Sequence, residues 1–389
     1  MADVLYFNRD TKVYVQLTAS PSNWWEVPVL DGFSFSQSTN SSEITLQEME
    51  SSAGTSRRGR KMFNDSLAPV EWSFSTYVRP FQANPSFGTG AANNQNDIHA
   101  VEEILWALFN GPATYGTPAT YDFPGFTRNA SSLAIDFSTA NKSSLGTANI
   151  YFAMNSSTAQ IYKLTKAVVN EATIDFDIDG IATIQWSGFA QFVEGTGVSL
   201  PSGNPISEGK DDTEAFIRNR LAQLSITAAS ANQAIFNGAG GSSSPNGVYN
   251  LTLTGGSITM TNNMTYLVPE ELGIVNIPLD HVTGNRSISG SFNCYLNLDD
   301  SSNLGTSTDF YGDMVSAAAR QLTVNSFDTT LKIGGTTAST PRLHIQMPQA
   351  HFEIPSHSIE DVIGLETNFH ALPSKIGLTD EATLTYFRA

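Results

Sequence analysis

The sequence predicts an all-β protein with two similar halves, each made of strands, a flap hairpin and one helix. Charged residues are only 15% of the 389 residues, and Ser, Thr, Asn and Gly fill the difference. Many short segments alternate apolar and polar residues, as strands with one buried face do. The order of these segments recurs along the chain, which indicates a duplicated domain.

The stretch 43–81 has the pattern of a long β-hairpin, here called flap 1. It begins as an alternating strand and then passes through a polar, Gly-containing tip at 51–59. It returns as a strand in which Trp72, Phe74 and Thr76 alternate with polar residues. Ordering so long an arm costs conformational entropy, which favours an arm that is ordered by a neighbouring molecule.

The return arm of flap 1 begins with a basic cluster, Arg57, Arg58, Arg60 and Lys61, four of the chain's 20 Lys and Arg residues. A nucleic-acid patch would carry interleaved aromatic residues and would sit poorly in a chain of net charge −17. A merely solvated loop would need no such density of charge. A clamp onto the acidic surface of another subunit is the favoured interpretation, with Phe63 beside the cluster.

The clearest helix is predicted over 97–109, with Asp97 as its N-cap and Gly111 followed by Pro112 as its stop. Its apolar face consists of Ile98, Val101, Leu105 and Leu108. Strands of the first half are predicted at 11–18, 27–37, 132–137, 148–154, 161–169, 172–179 and 181–192.

The second half repeats this order after a Gly, Pro and Ser-rich linker. Its predicted strands are 221–227, 251–261, 286–298, 331–334 and 343–346, with a shorter flap 2 at 264–283 and a helix at 309–320. The segment 286–298 matches the return strand of flap 1, so that Phe292 corresponds to Phe74. The predicted domains are 1–194 and 216–373, with a linker at 195–215 and a C-terminal extension at 374–389.

An acidic strand precedes Gly180 in the segment DFDIDG. Asp175, Asp177 and Asp179 look like the start of a calcium loop, but Trp186 stands where that loop needs a bidentate carboxylate. The intervening apolar residues instead continue a period-two strand. The sequence therefore predicts an acidic strand face that also includes Glu171.

Other candidate sites are weak. The segment GNPISEGK at 203–210 has the wrong spacing for a phosphate loop. His351, His357 and Glu353 could meet a metal, but their spacing does not require one. Cys294 is expected to be a core residue. We therefore predict no enzyme, no metal site and no cofactor.

Charge and hydropathy restrict where the protein can reside and which partners it can bind. The N-terminus lacks the pattern of a secretory signal, and no stretch approaches the roughly 20 apolar residues of a membrane span. We expect a protein made in a cytoplasm without membrane insertion. The net charge of −17 argues against wrapping nucleic acid, but not against a surface along which nucleic acid slides.

Two segments carry a family resemblance: RRGRKMFNDSLAPVEWSFSTYVRP at 57–80, and NNMTYLVP with NIPLDHVTGNRSISGSFNCYLN after it at 262–297. They resemble the major tail tube proteins of long-tailed bacteriophages, most closely the siphophage subgroup with a duplicated tube domain. The resemblance covers about residues 4 to 373. It implies two tandem β-sandwich or half-barrel domains, each with a helix packed outside.

The resemblance further implies a structural virion protein that forms stacked rings, trimeric and pseudo-hexameric in duplicated members. Inner sheets would join into a barrel around a lumen that conducts double-stranded DNA without specific binding. Flap 1, with its basic cluster and Phe63, would contact neighbouring subunits and rings. We further expect Glu171, Asp175, Asp177 and Asp179 to face the lumen, because an acidic lumen repels the DNA phosphates. Implied partners are a tape measure protein, a tail terminator and a distal tail or baseplate initiator, with assembly in the host bacterial cytoplasm.

Two alternatives stay open from the residues. A carbohydrate-binding decoration or baseplate protein would expose aromatic residues on a binding face. Trp24 and Trp25 are the one adjacent tryptophan pair in the sequence, and packing or ring contact is favoured over sugar binding for them. The inner tube of a contractile tail would share the same fold. The acidic face could also lie on the outer surface or at a ring junction.

Overall fold

The computed structural model describes residues 5–43, 62–83, 96–111, 123–137, 145–154, 159–213, 215–236, 238, 247–272, 275–298, 304–316, 318–322 and 326–388. The first half contains β1 (Thr11–Leu17), β2 (Trp24–Val27), β3 (Ser34–Ser36), β4 (Thr39–Glu43), β5 (Met62–Leu67), β6 (Val70–Tyr77), β7 (Pro80–Gln82), β8 (Ile98–Ala100), α1 (Glu103–Asn110), β9 (Phe126–Arg128), β10 (Ser132–Asp136), β11 (Ala148–Met154), β12 (Gln160–Asp177), β13 (Thr183–Ala190) and β14 (Phe192–Glu194). The second half contains β15 (Gln223–Ala228), β16 (Val248–Leu251), β17 (Leu253–Thr261), β18 (Thr265–Leu267), β19 (Asp280–Val282), β20 (Ser287–Tyr295), α2 (Ser307–Met314), β21 (Phe327–Ile333), β22 (Arg342–Phe352), β23 (Ser356–Ile359), β24 (Ile363–Ala371) and β25 (Thr383–Phe387).

Eight strands from both halves form one antiparallel sheet, here called the eight-strand sheet. Its order is β3–β6–β13–β12–β17–β20–β24–β23. The ladder between β12 and β17 joins the first half to the second without a break. Both halves of the chain therefore contribute strands to one sheet, and its edge strands are β3 on one side and β23 on the other.

A second layer covers one face of this sheet. In the first half it consists of β2, β1, β11, the beginning of β12 and β14. Its other part consists of β16, β15, β21, β22 and β25 of the second half, and β10 and β9 of the first half continue it beyond β25. Apolar side chains from both layers form one continuous core. Phe35 of the eight-strand sheet, for example, lies 4.8 Å from Phe152 of the second layer.

The long strand β12 belongs to both layers. Its first part pairs with β11, and its second part, from Val168, pairs with β13. Between them Lys166 has a left-handed backbone with φ of 48°, and the ladder with β11 shifts register. Such an irregularity bends a strand, which lets β12 pass from one sheet to the other.

Each helix packs into the core of its own half. All eight residues of α1 are buried, and Trp106 lies 4.8 Å from Trp186 of β13 in an edge-to-face contact. In α2, Phe310 makes a similar contact with Phe352 of β22 at 5.7 Å. A capping box between Thr306 and Asp309 fixes the start of α2.

The two halves repeat one scheme of strand pairing. The first half has the pairs β1–β2, β1–β11, β11–β12, β12–β13, β13–β6, β6–β3 and β4–β5. In the same order, the second half has β15–β16, β15–β21, β21–β22, β22–β24, β24–β20, β20–β17 and β18–β19. This recurrence follows the recurring order of segments in the sequence.

The C-terminal strand β25 connects the halves in the second layer. It pairs with β10 of the first half along one edge and with β22 of the second half along the other. Arg342 of β22 also lies over the ring of Phe387, 4.3 Å from its centroid. No strand is predicted at 374–389 from the sequence, yet β25 is a central strand of this layer.

A buried hydrogen-bond chain ties β25 to the first half. Trp106 Nε1 donates to the Tyr386 hydroxyl at 2.6 Å, and that hydroxyl donates to Glu102 Oε1 at 2.9 Å. All three residues are buried. Burial disfavours the charged carboxylate and raises the pKa of Glu102 from 4.5 to about 7, although these hydrogen bonds oppose the shift.

Glu102→Gln is expected to weaken the dependence of stability on pH. Because the folded state holds the Glu102 proton more tightly than the unfolded chain does, its stabilising contribution is complete below pH 4.5 and is lost as pH rises through about 7. This loss is on the order of 3 kcal/mol. Urea unfolding of unassembled protein at pH 5 and pH 8 measures it. The exposed Glu366→Gln is the control, and an unchanged pH dependence in Glu102→Gln would contradict the assignment.

The predicted all-β class is confirmed, but several element boundaries differ. The helix predicted from Asp97 begins at Glu103, because Ile98–Ala100 forms strand β8 against β7. The strands predicted at 161–169 and 172–179 are one strand, β12. The second helix ends at Met314 rather than at Arg320. In the part of the chain that the structure describes, no helix is long and apolar enough to cross a membrane.

Candidate functional site

The uncovered face of the eight-strand sheet is polar along its whole width, and we call it the polar face. Cross-strand partners in an antiparallel ladder point to the same side, so the registers define rows of residues on this face. One row runs Tyr77, Thr183, Asp175, Ser257, Ser291 and Asn368. The next row runs Ser75, Gln185, Thr173, Thr259, Ser289 and His370.

Hydroxyl groups meet across these ladders. The Ser34 and Ser73 hydroxyls are 2.9 Å apart, and those of Thr173 and Thr259 are 3.2 Å apart. The intervening residues on each strand, such as Trp186 and Phe74, point into the core. The alternation of small polar residues with large apolar ones therefore produces a hydroxyl-rich surface on one side and a packed core on the other.

Carboxylates lie on the polar face, whereas cations do not. The eight strands carry five carboxylates on this side, counting β12 from its first residue paired with β17: Glu71, Glu171, Asp175, Asp177 and Glu366. Over the same described segments there is no Lys or Arg residue. Since the strands supply no positive charge, the face is electrostatically negative and can repel a polyanion.

The structure places the four predicted acidic residues in two settings. Glu171, Asp175 and Asp177 lie on the polar face of β12, while Ala172, Ile174 and Phe176 between them are buried. Asp179 lies beyond the strand in the turn to β13, 3.8 Å from Arg220, and both side chains are largely exposed. The period-two pattern thus brings three of the four residues together.

The hypotheses of a metal or phosphate site gain no support. Trp186, at the last position of the supposed calcium loop, is fully buried in the core. His357 packs against Tyr311 with ring centroids 4.4 Å apart, and Lys210 binds Glu26 at 3.0 Å. Within the described segments, no three His, Cys, Asp or Glu residues are grouped to hold a metal.

Two further residue types lie where the sequence suggested. Burial raises the pKa of the Cys294 thiol to about 12, as expected for a core cysteine. Trp24 and Trp25 are both buried, and Trp24 packs against Tyr14 at 5.2 Å. These tryptophans therefore do not present an exposed surface on which a sugar ring could stack.

The two flaps meet beside the polar face. Asn276 of flap 2 accepts from the Leu67 backbone at 2.8 Å, and its own N–H donates to Asp65 of flap 1. Arg57, Arg58, Arg60 and Lys61 lie outside the described residues. Exposed apolar side chains cover both flaps, and we call them the flap surface: Met62, Phe63, Leu267, Leu272, Val275, Ile277, Leu279 and Val282.

The sequence pattern predicts the acidic strand but not the breadth of the polar face. Ser257 and Thr259 look like ordinary strand positions in the sequence, although in the structure they continue the same rows as Asp175 and Thr173. The available signal was the absence of Lys and Arg from the strands of this sheet, with β12 counted from Glu171. That signal becomes visible only when the strands are known to be neighbours.

A search of protein-family models finds no match to the chain. A comparison with curated proteins finds similarity to tail tube protein pb6 of Escherichia phage T5. The two are 29% identical over 390 residues, which cover 97% of this chain and 75% of the phage T5 protein. The resemblance to siphophage major tail tube proteins is confirmed.

The tail tube relationship accounts for the fold and for the general role. The chain is β-rich, and the protein to which it is similar is a tail tube protein of a bacteriophage. Because the similarity extends over nearly the whole chain, it includes the polar face and both flaps. The polar face and the flap surface are therefore the features whose roles within a tail tube need explanation.

Proposed function

We propose that this tail tube protein polymerises as stacked rings and that its polar face lines the lumen through which double-stranded DNA leaves the capsid. The observation that carries the proposal is the absence of Lys and Arg from the described strands of that sheet, with β12 counted from Glu171, its first residue paired with β17. Lys and Arg bind DNA through its phosphates, so a wall without them gives DNA no sites at which to adhere.

The acids and hydroxyls have complementary roles in this proposal. Glu171, Asp175 and Asp177 repel phosphates and keep the DNA away from the wall. Hydroxyls such as those of Thr173 and Thr259 bind water and each other, so the surface stays hydrated without a positive charge. Transport through the tube then needs no catalysis and no cofactor.

We propose that the ring contains three chains, each contributing two tube domains in pseudo-sixfold order. The recurrence of seven strand pairings in the two halves supports this duplication. The flap surface supports ring and ring-stacking contacts, because exposed apolar side chains concentrated on two touching hairpins mark an interaction site. Flap 1 with Phe63 and its basic cluster would contact neighbouring subunits or rings.

The remaining partners are proposed from the family resemblance. The tube would enclose a tape measure protein, start on a distal tail or baseplate initiator, and end at a tail terminator. Assembly would take place in the cytoplasm of the host bacterium.

Replacing Glu171, Asp175 and Asp177 together by lysine is expected to permit tube assembly but to slow DNA ejection by roughly tenfold. The reason is that each lysine would bind passing phosphates in place of a repelling carboxylate. Phage particles carrying the variant would be triggered to eject, and DNA release would be followed by dye fluorescence. Electron microscopy of the same particles would establish that tails of normal length are present.

A matched control is the triple replacement of Asp10, Asp31 and Asp211 by lysine, since these exposed acids lie off the polar face. It makes the same change in net charge, and ejection is expected at the normal rate. Normal ejection by the polar-face variant, in tails of normal length, would show that these acids do not face the DNA.

A further inference from the structure

The eight-strand sheet ends in two free edges. Among the described residues, β3 pairs only with β6, and β23 pairs only with β24. Ser34 and Ser36 on β3, and Ser356 and Ser358 on β23, are exposed. Free edges present unpaired backbone N–H and C=O groups, which favour pairing with another strand.

The junction between the two halves provides a template for that pairing. There β12 and β17 form an antiparallel ladder in which Thr173 faces Thr259 and Asp175 faces Ser257. This internal ladder joins β12, the edge strand of the part of the sheet that the first half contributes, to β17, the neighbouring edge strand of the part that the second half contributes. If the halves are equivalent, β23 should join β3 of a second chain in the same way.

The residues of β3 that correspond to β17 follow from the registers. Phe74 corresponds to Phe292, so the preceding residues Ser73 and Ser291 also correspond. Ser34 faces Ser73, and Ser257 faces Ser291. Ser34 therefore takes the place of Ser257, and by the same step Ser36 takes the place of Thr259.

The residues of β23 that correspond to β12 follow similarly. Phe74 faces Trp186, and Phe292 faces Thr367, so Trp186 corresponds to Thr367. One residue earlier, Gln185 faces Thr173, and Glu366 faces Ser356. Ser356 therefore takes the place of Thr173, and Ser358 takes the place of Asp175.

We propose that β23 of one chain pairs with β3 of a second copy in a single antiparallel register, with Ser356 facing Ser36 and Ser358 facing Ser34. This inference rests on the proposed ring assembly and specifies its contact. Because two different edges meet, the contact is head-to-tail, and repeating it closes a ring when the rotation between neighbouring chains divides a full turn.

Packing on the core side of the same register supports the pairing. In the internal ladder, the large Phe176 faces Gly256, which leaves room for its ring. At the edges, the register places Ile359 opposite Phe33. Ile359 is 80% exposed, and Phe33 already packs against Phe152 at 5.1 Å. The contact would cover an apolar side chain that the isolated chain leaves in water.

The ladder within a chain, between β12 and β17, would differ in charge from the ladder between chains, between β23 and β3. β12 carries Glu171, Asp175 and Asp177, three of the five carboxylates on the polar face, whereas β23 carries none. The ladder between chains would therefore be built of serine hydroxyls, and the acidic strands would recur once per chain. A ring with pseudo-sixfold backbone order would then have charge of threefold order.

Disulfide cross-linking tests the register. The double variant Ser36→Cys with Ser356→Cys is assembled into tubes, oxidised and run on denaturing gels without reductant. We expect a series of gel bands from disulfide-linked chains, the largest of which contains all the chains of one ring. After reduction, only the band of the single chain should remain. The out-of-register variant Ser36→Cys with Ser358→Cys should cross-link at less than a tenth of that yield. Thr173→Cys with Thr259→Cys, the template pair, should close within single chains.

The outcomes separate this inference from the proposed function. One outcome is that tubes form and the template pair closes while the out-of-register pair cross-links with the same yield as the in-register pair. In that case the proposed register is wrong, but the proposed tube function is retained. If purified protein with its tail initiator never forms tubes, the proposed function itself fails.

Discussion

Replacing Tyr386 by alanine is expected to lower the free energy of unfolding by about 4 kcal/mol, as for other large aromatic residues removed from a core. Tyr386 is fully buried in β25. Its removal leaves a cavity, leaves Trp106 Nε1 without its acceptor, and takes away the hydroxyl that donates to Glu102 Oε1. Urea unfolding of the unassembled chain at pH 6 measures the change.

Two further variants separate the contributions at this site. Tyr386→Phe retains most of the volume but removes the hydroxyl, so a loss of about 1–3 kcal/mol is expected from the unpaired buried groups. Tyr295→Ala removes a tyrosine that is 44% exposed and should change stability by about 1 kcal/mol or less. Equal losses in Tyr386→Ala and Tyr295→Ala would contradict a structural role for β25.

The size of the Tyr386 effect follows from the position of β25 between two distant strands. Arg286 reinforces the same region, because its Nη2 binds Glu381 at 3.0 Å and the Phe137 carbonyl at 2.7 Å. Both side chains of this ion pair are buried, so truncating either would leave an unpaired buried charge. The C-terminal segment therefore stabilises the contact between the two halves of the chain through the strand pairs of β25 and the Arg286–Glu381 ion pair.

Local patterns in the sequence predicted the strands of the polar face well. The alternation in β6, β12 and β20 is strong because one side of each strand is packed and the other is solvated. The acidic positions Glu171, Asp175 and Asp177 could be placed on one face from this alternation alone. Burial on one side is a local property, so neighbouring residues are enough to reveal it.

Long-range pairing could not be predicted in the same way. Buried and partly buried residues alternate at 383–387, as in a strand. Its partners β10 and β22 are separated from each other by some two hundred residues, and no pattern within the segment indicates which strands it pairs with. The start of α1 was wrong for the same reason. Ile98–Ala100 fits a helical apolar face, but pairing with Pro80–Gln82 holds it as a strand.

Replacing Arg57, Arg58, Arg60 and Lys61 together by glutamate is expected to reduce tube formation by at least roughly tenfold while the chain stays folded. In the sequence these cations directly precede β5, whose second residue, Phe63, is 54% exposed. In a chain of net charge −17, a basic arm is attracted to other copies, and an acidic arm is repelled by them. Sedimentation and negative-stain microscopy would measure assembly, and thermal unfolding would measure folding.

The matched control replaces Arg9, Arg218, Arg320 and Lys375 by glutamate, four exposed cations outside the flaps. It makes the same change in net charge, so a defect limited to the flap variant identifies a local contact rather than general repulsion. Raising the salt concentration should further weaken tubes of the unaltered protein if the clamp is electrostatic, because salt screens exposed charges. Tubes of normal yield and stability from the flap variant would show instead that the apolar flap surface, with Met62 and Phe63, makes the contact without the cations.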